Sequence, residues 1–160
     1  MKIRNLIEDD LLAFVELQTD PVVMRYVGGP QSSEEAISDF RSCTEANQNS
    51  ADDLWFIWAA ESKETDRFIG TVACVQGRDR NEIEIGFRLL PASWNQGIAS
   101  ELTPYLLQYA LSELRAKQVM ASVDADNEAS VKVLDKWMNF VELVPNHEEG
   151  CLDRIYLYEG

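Results

Sequence analysis

Three strand-like runs follow one another between residues 54 and 90, with no room for a helix between them. "LWFIWAA" (residues 54–60), "RFIGTVACV" (67–75) and "EIEIGFRLL" (82–90) are rich in aromatic and β-branched residues, and only the polar stretches "ESKETD" and "QGRDRN" separate them. Connections this short make neighbouring strands antiparallel, because a parallel pair needs a crossover of about a dozen residues or more. The sequence therefore contains a β-meander, and whatever flanks it must cover its faces.

The flanks supply helices. "KIRNL" predicts a short first strand over residues 2–6. "EDDLLAFVELQT" then sets Leu11, Phe14, Val15 and Gln18 at helical spacing, with Glu8, Asp9 and Asp10 at the positive end of the helix dipole. Asp20-Pro21 begins a short helical stretch over 21–26, "VGGP" is a turn, and residues 33–48 read as a third helix with serine caps and acids in its first turn. After the meander the clearest helix starts at Gly97, where Ile98, Leu102, Tyr105, Leu106, Tyr109 and Ala110 form an apolar stripe. A strand over 118–123, a helix over 128–138 and strands near 141–144 and 152–158 complete the chain. The pattern predicts an α/β (α+β) fold with helices packed on one mostly antiparallel sheet. At 160 residues, 46% of them hydrophobic, the chain suits one domain spanning 1–160.

Charge and cysteine usage exclude several function classes. The formal net charge of −14 would repel a phosphate backbone, so nucleic acid is not an expected partner. The same field would draw in a cation, or it simply keeps the protein soluble. No apolar run approaches the roughly 20 residues that span a bilayer, and "MKIRNLIEDDLLAF" turns acidic at once, unlike a secretion signal. No membrane association is expected. Cys43, Cys74 and Cys151 lie far apart, which suggests free thiols in a cytoplasmic protein and not a disulfide frame or zinc site. The sole histidine, His147, sits among acids in "VPNHEEG", so no metal is expected.

Gly-x-x-x-x-Gly-Lys, Gly-x-Gly-x-x-Gly and Gly-x-Ser-x-Gly are all missing. What remains is "PASWNQGIASEL" (91–102), where a strand ends, a polar turn follows and a helix begins at a glycine. Gly97 either relieves strain in that connection or bares the amides of a helix start to an anion. A second helix start lies thirty residues on, in "DADNEASVKVLDKWMNF". There Ser130, Val133, Leu134 and Trp137 share a face, so Ser130 either bonds back to the backbone or points into a site. Asn127 stands at an N-cap position, and Asn139 is expected to end the helix in a left-handed conformation.

Together "EIGFRLLPASWNQGIASEL" and "NEASVKVLDKWMNF" resemble the acetyl-CoA-binding core of the GNAT N-acetyltransferases, and within them the RimJ/RimL type. The family's Gln/Arg-x-x-Gly-x-Gly/Ala turn is matched by Trp94-Asn95-Gln96-Gly97-Ile98-Ala99; Trp94 departs from the broad family and is familiar in that branch. "IRNLIEDDLLAFVELQTDPVVMRYVGG" resembles the same branch, so the likeness spans nearly the whole chain. The resemblance implies a six- to seven-stranded sheet with helices on both faces, its central strands splayed to admit acetyl-CoA. It implies that amides of Asn95, Gln96, Gly97, Ile98, Ala99 and Ser100 cradle the pyrophosphate, that the pantetheine arm pairs with backbone at Phe87 and Leu89, and that Asn127 bonds the arm.

Glu82 and Glu84 share one strand face, and Glu84 matches the position from which the family's carboxylate takes the amine proton. The alternative is that both line a solvated face. The tyrosine that the wider family places seven residues after the asparagine is replaced by Leu134, so the resemblance passes the role at the sulfur to Ser130, which would stabilise the thiolate. The expected activity is direct transfer of an acetyl group to a primary amine. A protein N-terminus, a polyamine or another small amine could be the acceptor, and a homodimer is compatible with the family. Residues 21–26, 33–48 and "PNHEEG" would wall the amine pocket, with Asp39, Glu148 and Glu149 as possible attractants of a cation. Two other readings stay open: a module that binds acetyl-CoA without chemistry, and an interaction domain presenting Trp55 or Trp94.

Overall fold

The computed structural model describes residues 1–49, 55–77 and 81–160. In chain order it comprises β1 (Lys2–Arg4), α1 (Leu11–Thr19), α2 (Ser33–Asn49), β2 (Trp55–Glu61), β3 (Phe68–Gln76), β4 (Glu82–Leu89), α3 (Ile98–Ser112), β5 (Gln118–Asp124), α4 (Glu128–Trp137), β6 (Asn139–Asn146) and β7 (Cys151–Tyr158). The seven strands form one sheet in the order β1-β2-β3-β4-β5-β7-β6. Every pair is antiparallel except β4 with β5, which α3 connects as a crossover. Leu54 of the expected second strand and residues 78–80 of the "QGRDRN" turn lie outside the described residues.

Helices cover both faces. On one side Leu102, Leu106, Leu107 and Ala110 of α3 and Leu134 of α4 pack on Ile83, Ile85 and Leu89 of β4 and Val119 and Val123 of β5. On the other, Phe14 and Leu17 of α1 and Phe40 and Cys43 of α2 pack on Ala59 and Phe68. The period of two along each strand makes this division: even residues of β2 join the first cluster and odd ones the second. At the β1 edge Arg4 donates to Asp10 at 2.6 and 2.9 Å and to Glu61 at 2.5 Å, which ties the first strand to the turn before α1 and to β2.

Local chemistry explains most boundaries, and it also corrects some expectations. A reciprocal capping box starts α2: the Glu35 N–H donates to Ser32 Oγ, and the Ser32 N–H donates to the Glu35 carboxylate. The stretch 21–26 is not a helix but a single 3-10 turn over Met24–Tyr26, because Asp20 Oδ1 accepts the amides of Val22 and Val23 and closes a local turn instead. The buried stripe of α3 is Leu102, Thr103, Leu106, Leu107 and Ala110, while Tyr105 is 50% exposed. Thr103 was overlooked because its hydroxyl donates to the Ala99 carbonyl and travels into the core already satisfied. Asn139 does not end α4 in a left-handed conformation. Met138 is already extended, at φ −131° and ψ 161°, and the chain runs straight into β6.

Candidate active site

The site begins where a ladder stops. Strands β4 and β5 pair only at Glu82–Gln118, Ile83–Val119 and Glu84–Met120, after which they diverge. On its other edge β4 stays bonded to β3 as far as Leu90, whose N–H donates to the Ile69 carbonyl. The Gly77 N–H likewise donates to Glu82, so the even residues of β4 direct their backbone groups to β3. The odd residues Phe87 and Leu89 therefore turn theirs toward the gap. The Leu89 carbonyl accepts Trp94 Nε1 at 2.8 Å, which staples the next turn to the strand end and leaves the Leu89 N–H facing the opening.

That turn has the shape of an anion nest. Asn95 has φ 59° and Gly97 has φ 77°, with Gln96 between them in the ordinary negative range. Alternation of this kind converges successive N–H groups on one point, here at the N-terminus of the fifteen-residue α3. A Cβ built on Gly97 would meet nothing within 4 Å, so the space before the nest is open. The question posed by Gly97 thus has a double answer: the left-handed backbone needs glycine, and the bare face is accessible. The Trp94 side chain is a staple, and Gln96 Nε2 donates to the Ala92 carbonyl at 2.7 Å, so backbone amides, not these side chains, are what the turn offers. Trp94 is 39% exposed, and the side chain of Trp55 lies outside the described residues.

Below the gap lies a cavity of about 750 Å³. Glu84, Phe87, Asn127 and Ser130 all line it, from β4 on one side and α4 on the other. Asn127 is the N-cap of α4; its Oδ1 accepts the Ser130 N–H at 3.2 Å, so its amide nitrogen is the group left for a ligand. Ser130 Oγ makes no hydrogen bond back to its own helix. Glu84 lines the cavity, whereas Glu82 is buried against Gly77 and does not, which separates two carboxylates that share a strand face. The nest residues do not line the cavity; they stand at the far end of the gap, beyond Leu89.

Met24, Tyr26 and Val27 from the turn before α2, Asp39 from α2, and Asn146 and Glu149 from the β6–β7 hairpin wall the cavity. His147 and Glu148 are exposed and lie outside its lining. Burial, with Asp153 and Asp124 nearby, raises the pKa of Glu149. Cys43 also lines the cavity, and burial pushes its thiol up to about 11, assisted by Asp39. Burial pushes Cys74 up to about 12. Neither is a thiolate at neutral pH, so neither is an activated nucleophile. Gln18, Gln31 and Arg88 also line the cavity and were missed in the sequence. The signal for Arg88 was there: it stands on β4 four residues after Glu84, on the same face.

No helix among the described residues is long and apolar enough to cross a membrane, and no cluster of three metal-ligating side chains occurs among them. The model of the acetyltransferase (GNAT) domain family matches residues 1–137. The uncharacterized N-acetyltransferase YoaA of Bacillus subtilis is 32% identical over 160 residues, covering 99% of this chain and 85% of that one. Among solved structures, a GNAT-family acetyltransferase from Bacillus anthracis superposes with a TM-score of 0.84 at 21% identity, covering 98% of this chain and 93% of that one. The spermidine N-acetyltransferase of Vibrio cholerae, in complex with CoA and spermine, superposes with a TM-score of 0.81 at 17% identity, covering 99% and 94%. The fold, the opened β4–β5 pair and the family match agree: the chain belongs to the GNAT acetyltransferase family.

Proposed function

We propose that this acetyltransferase moves the acetyl group of acetyl-CoA directly to a primary amine, with Glu84, Asn127 and Ser130 around the reacting atoms. The observation that carries the reading is the opening of β4 from β5 immediately after Glu84, so that all three residues line one cavity. The residues present suit the coenzyme. The nest of Asn95 to Ser100 would hold its pyrophosphate, and the backbone of Phe87 and the N–H of Leu89 would pair with its amide-bearing arm as they would with a neighbouring strand. Asn127 Nδ2 would donate to the same arm. Acetyl-CoA supplies the activated acyl group; the protein supplies position and proton handling.

Glu84 accepts the proton of the incoming ammonium, directly or through water, so that the nitrogen attacks as a neutral amine. Ser130 Oγ donates a hydrogen bond to the sulfur and stabilises the thiolate as it leaves. Holding the two reactants in one cavity removes the entropy of their encounter, which is worth up to roughly 7–11 kcal/mol in well-oriented systems. The raised thiol of Cys43 favours direct transfer over an acyl-enzyme.

The test is thermal unfolding with acetyl-CoA, and with ATP and NAD as controls. Ligand at a hundred times its dissociation constant adds about 2.7 kcal/mol to the folded state. A rise with acetyl-CoA alone supports the reading, and no rise removes it. A rise without turnover on any amine would favour the binding module.

A further inference from the structure

The cavity has one cationic side chain among its described lining residues, Arg88. Arg88 is partly buried on β4, and among the described residues it forms no salt bridge. One guanidinium nitrogen, Nη1, donates to Gln18 Oε1 of α1. Gln18 is itself buried, 7% exposed, and its carbonyl accepts the Gln31 N–H at 3.0 Å, so the guanidinium is held by a rigid neighbour. Arg88 is itself part of the cavity lining. Burial lowers the pKa of Arg88, opposed by Asp39, Cys43 and Glu149. In a chain of formal charge −14, a partly buried guanidinium with no salt bridge among the described residues calls for an explanation.

The coenzyme does not provide it. The nest opens at the start of α3, on the face of the sheet that carries Ile83, Ile85 and Leu89. Arg88 lies on the opposite face, against α1. Glu84 shares that face, and Gly86 lies between them with open space where a Cβ would stand. The two positions are about 13 Å apart along the strand. Next to Arg88, Gln31 Oε1 is buried with no hydrogen-bond partner, while its Nε2 is spent on Asp39 at 2.6 Å. Arg88 and Gln31 therefore line the cavity together, joined through Gln18, which accepts from both.

The geometry points to Arg88 as a specificity-determining residue that receives a carboxylate of the acceptor, so that the substrate is an amine that also carries a carboxylate, such as a free amino acid. This rests on the acetyltransferase reading above. A planar guanidinium meets a carboxylate through two parallel hydrogen bonds, a pairing that a polyamine or an amidated peptide cannot form.

The experiment compares steady-state acetylation of the twenty L-amino acids, their carboxamides and spermidine, followed by coenzyme A release. For at least one amino acid kcat/KM should exceed that of its carboxamide by about 100-fold, a discrimination ordinary for a site built around a polar group. Arg88→Gln should collapse that ratio toward one, mainly through KM, and Arg88→Lys should restore part of it. Melting temperature with and without acetyl-CoA checks that each variant folds and binds the donor. Acetylation of carboxamides or spermidine in preference to free amino acids overturns the proposal, as does no acetylation of any free amino acid, or a ratio unchanged in Arg88→Gln. Failure of acetyl-CoA to raise the melting temperature of the unsubstituted protein strikes the acetyltransferase reading instead.

Discussion

The carboxamide oxygen of Asn127 accepts the backbone N–H of Ser130 at 3.2 Å, so the residue that starts α4 also sets the serine proposed to meet the sulfur. One side chain thus does two tasks with two atoms: Oδ1 caps the helix and Nδ2 is available to a ligand. Replacing Asn127 by Ala should lower stability by about 1 kcal/mol through the lost cap. It should also weaken acetyl-CoA binding by more than that loss implies. Replacing it by Asp keeps the cap and removes the donor, so melting curves and coenzyme titrations of the two variants separate the tasks.

Gly97 offers a cleaner separation. Its backbone is left-handed at φ 77°, and an added Cβ would touch no protein atom. Gly97→Ala should therefore cost about 1 kcal/mol from backbone strain alone. If the nest holds a pyrophosphate, the methyl group intrudes on the ligand, and acetyl-CoA affinity should fall at least tenfold beyond the stability change, which is about 1.4 kcal/mol. An isothermal titration reads it directly.

Glu84→Gln removes the proposed proton acceptor and keeps the shape. Turnover should fall by about 10² to 10⁴, the usual contribution of a positioned base. The acetyl-CoA dissociation constant should stay within a factor of about three. Raising the pH should partly rescue the variant, since a larger fraction of the amine is then already neutral.

Cys43 faces the cavity with its thiol pushed up to about 11. Direct transfer predicts that Cys43→Ala retains at least about half the turnover, a minor barrier change on the scale where tenfold is 1.36 kcal/mol. It also predicts that mass spectrometry finds no acetylated enzyme during reaction. A competent acetyl-enzyme would overturn direct transfer.

The ties of Arg4 to Asp10 and Glu61 give the fold an acid sensitivity. The hydrogen bond from Arg4 is the largest cause holding Glu61 below its ordinary carboxylate pKa. A lowered carboxylate pKa stabilises the folded state fully above the unfolded value, about 4.3, and the gain is lost as pH falls through the folded value. Arg4→Met should lower the melting temperature at pH 7 by roughly 5–10 °C, because Asp10 loses the guanidinium it pairs with and Glu61 keeps only Lys2. The gap between variant and parent should narrow as melts are taken below the ordinary carboxylate range, where Glu61 becomes protonated even in the folded state.

Much of this was legible in the residues. The meander, the helix after Gly97 and the cap at Asn127 follow from local rules: alternation at period two, an apolar stripe at period 3.6, and a side-chain oxygen ahead of a helix. Asn139 misled because asparagine tolerates positive φ, and nothing local says that β7 will draw the chain into an extended strand at Met138. Thr103 misled because a hydroxyl reads as surface until its bond to Ala99 is known. Arg88 was visible as an even residue of β4 and went unread because an arginine on a strand is ordinarily solvated; its burial by α1 and its bond to Gln18 join residues seventy positions apart.

By itself the sequence determined most of the segments that become strands and helices, the helix start at Gly97, and a resemblance that the family match bears out. These rest on interactions within a few residues, where covalent geometry and side-chain chemistry decide. Only the tertiary structure decided that the β4–β5 ladder ends at Glu84, that Glu84 and not Glu82 meets the cavity, and that Arg88 stands in it with no salt bridge among the described residues. Each of those depends on how two faces of a twisted sheet are covered by helices distant in the chain, and on the divergence of two parallel strands, which no window of neighbouring residues encodes.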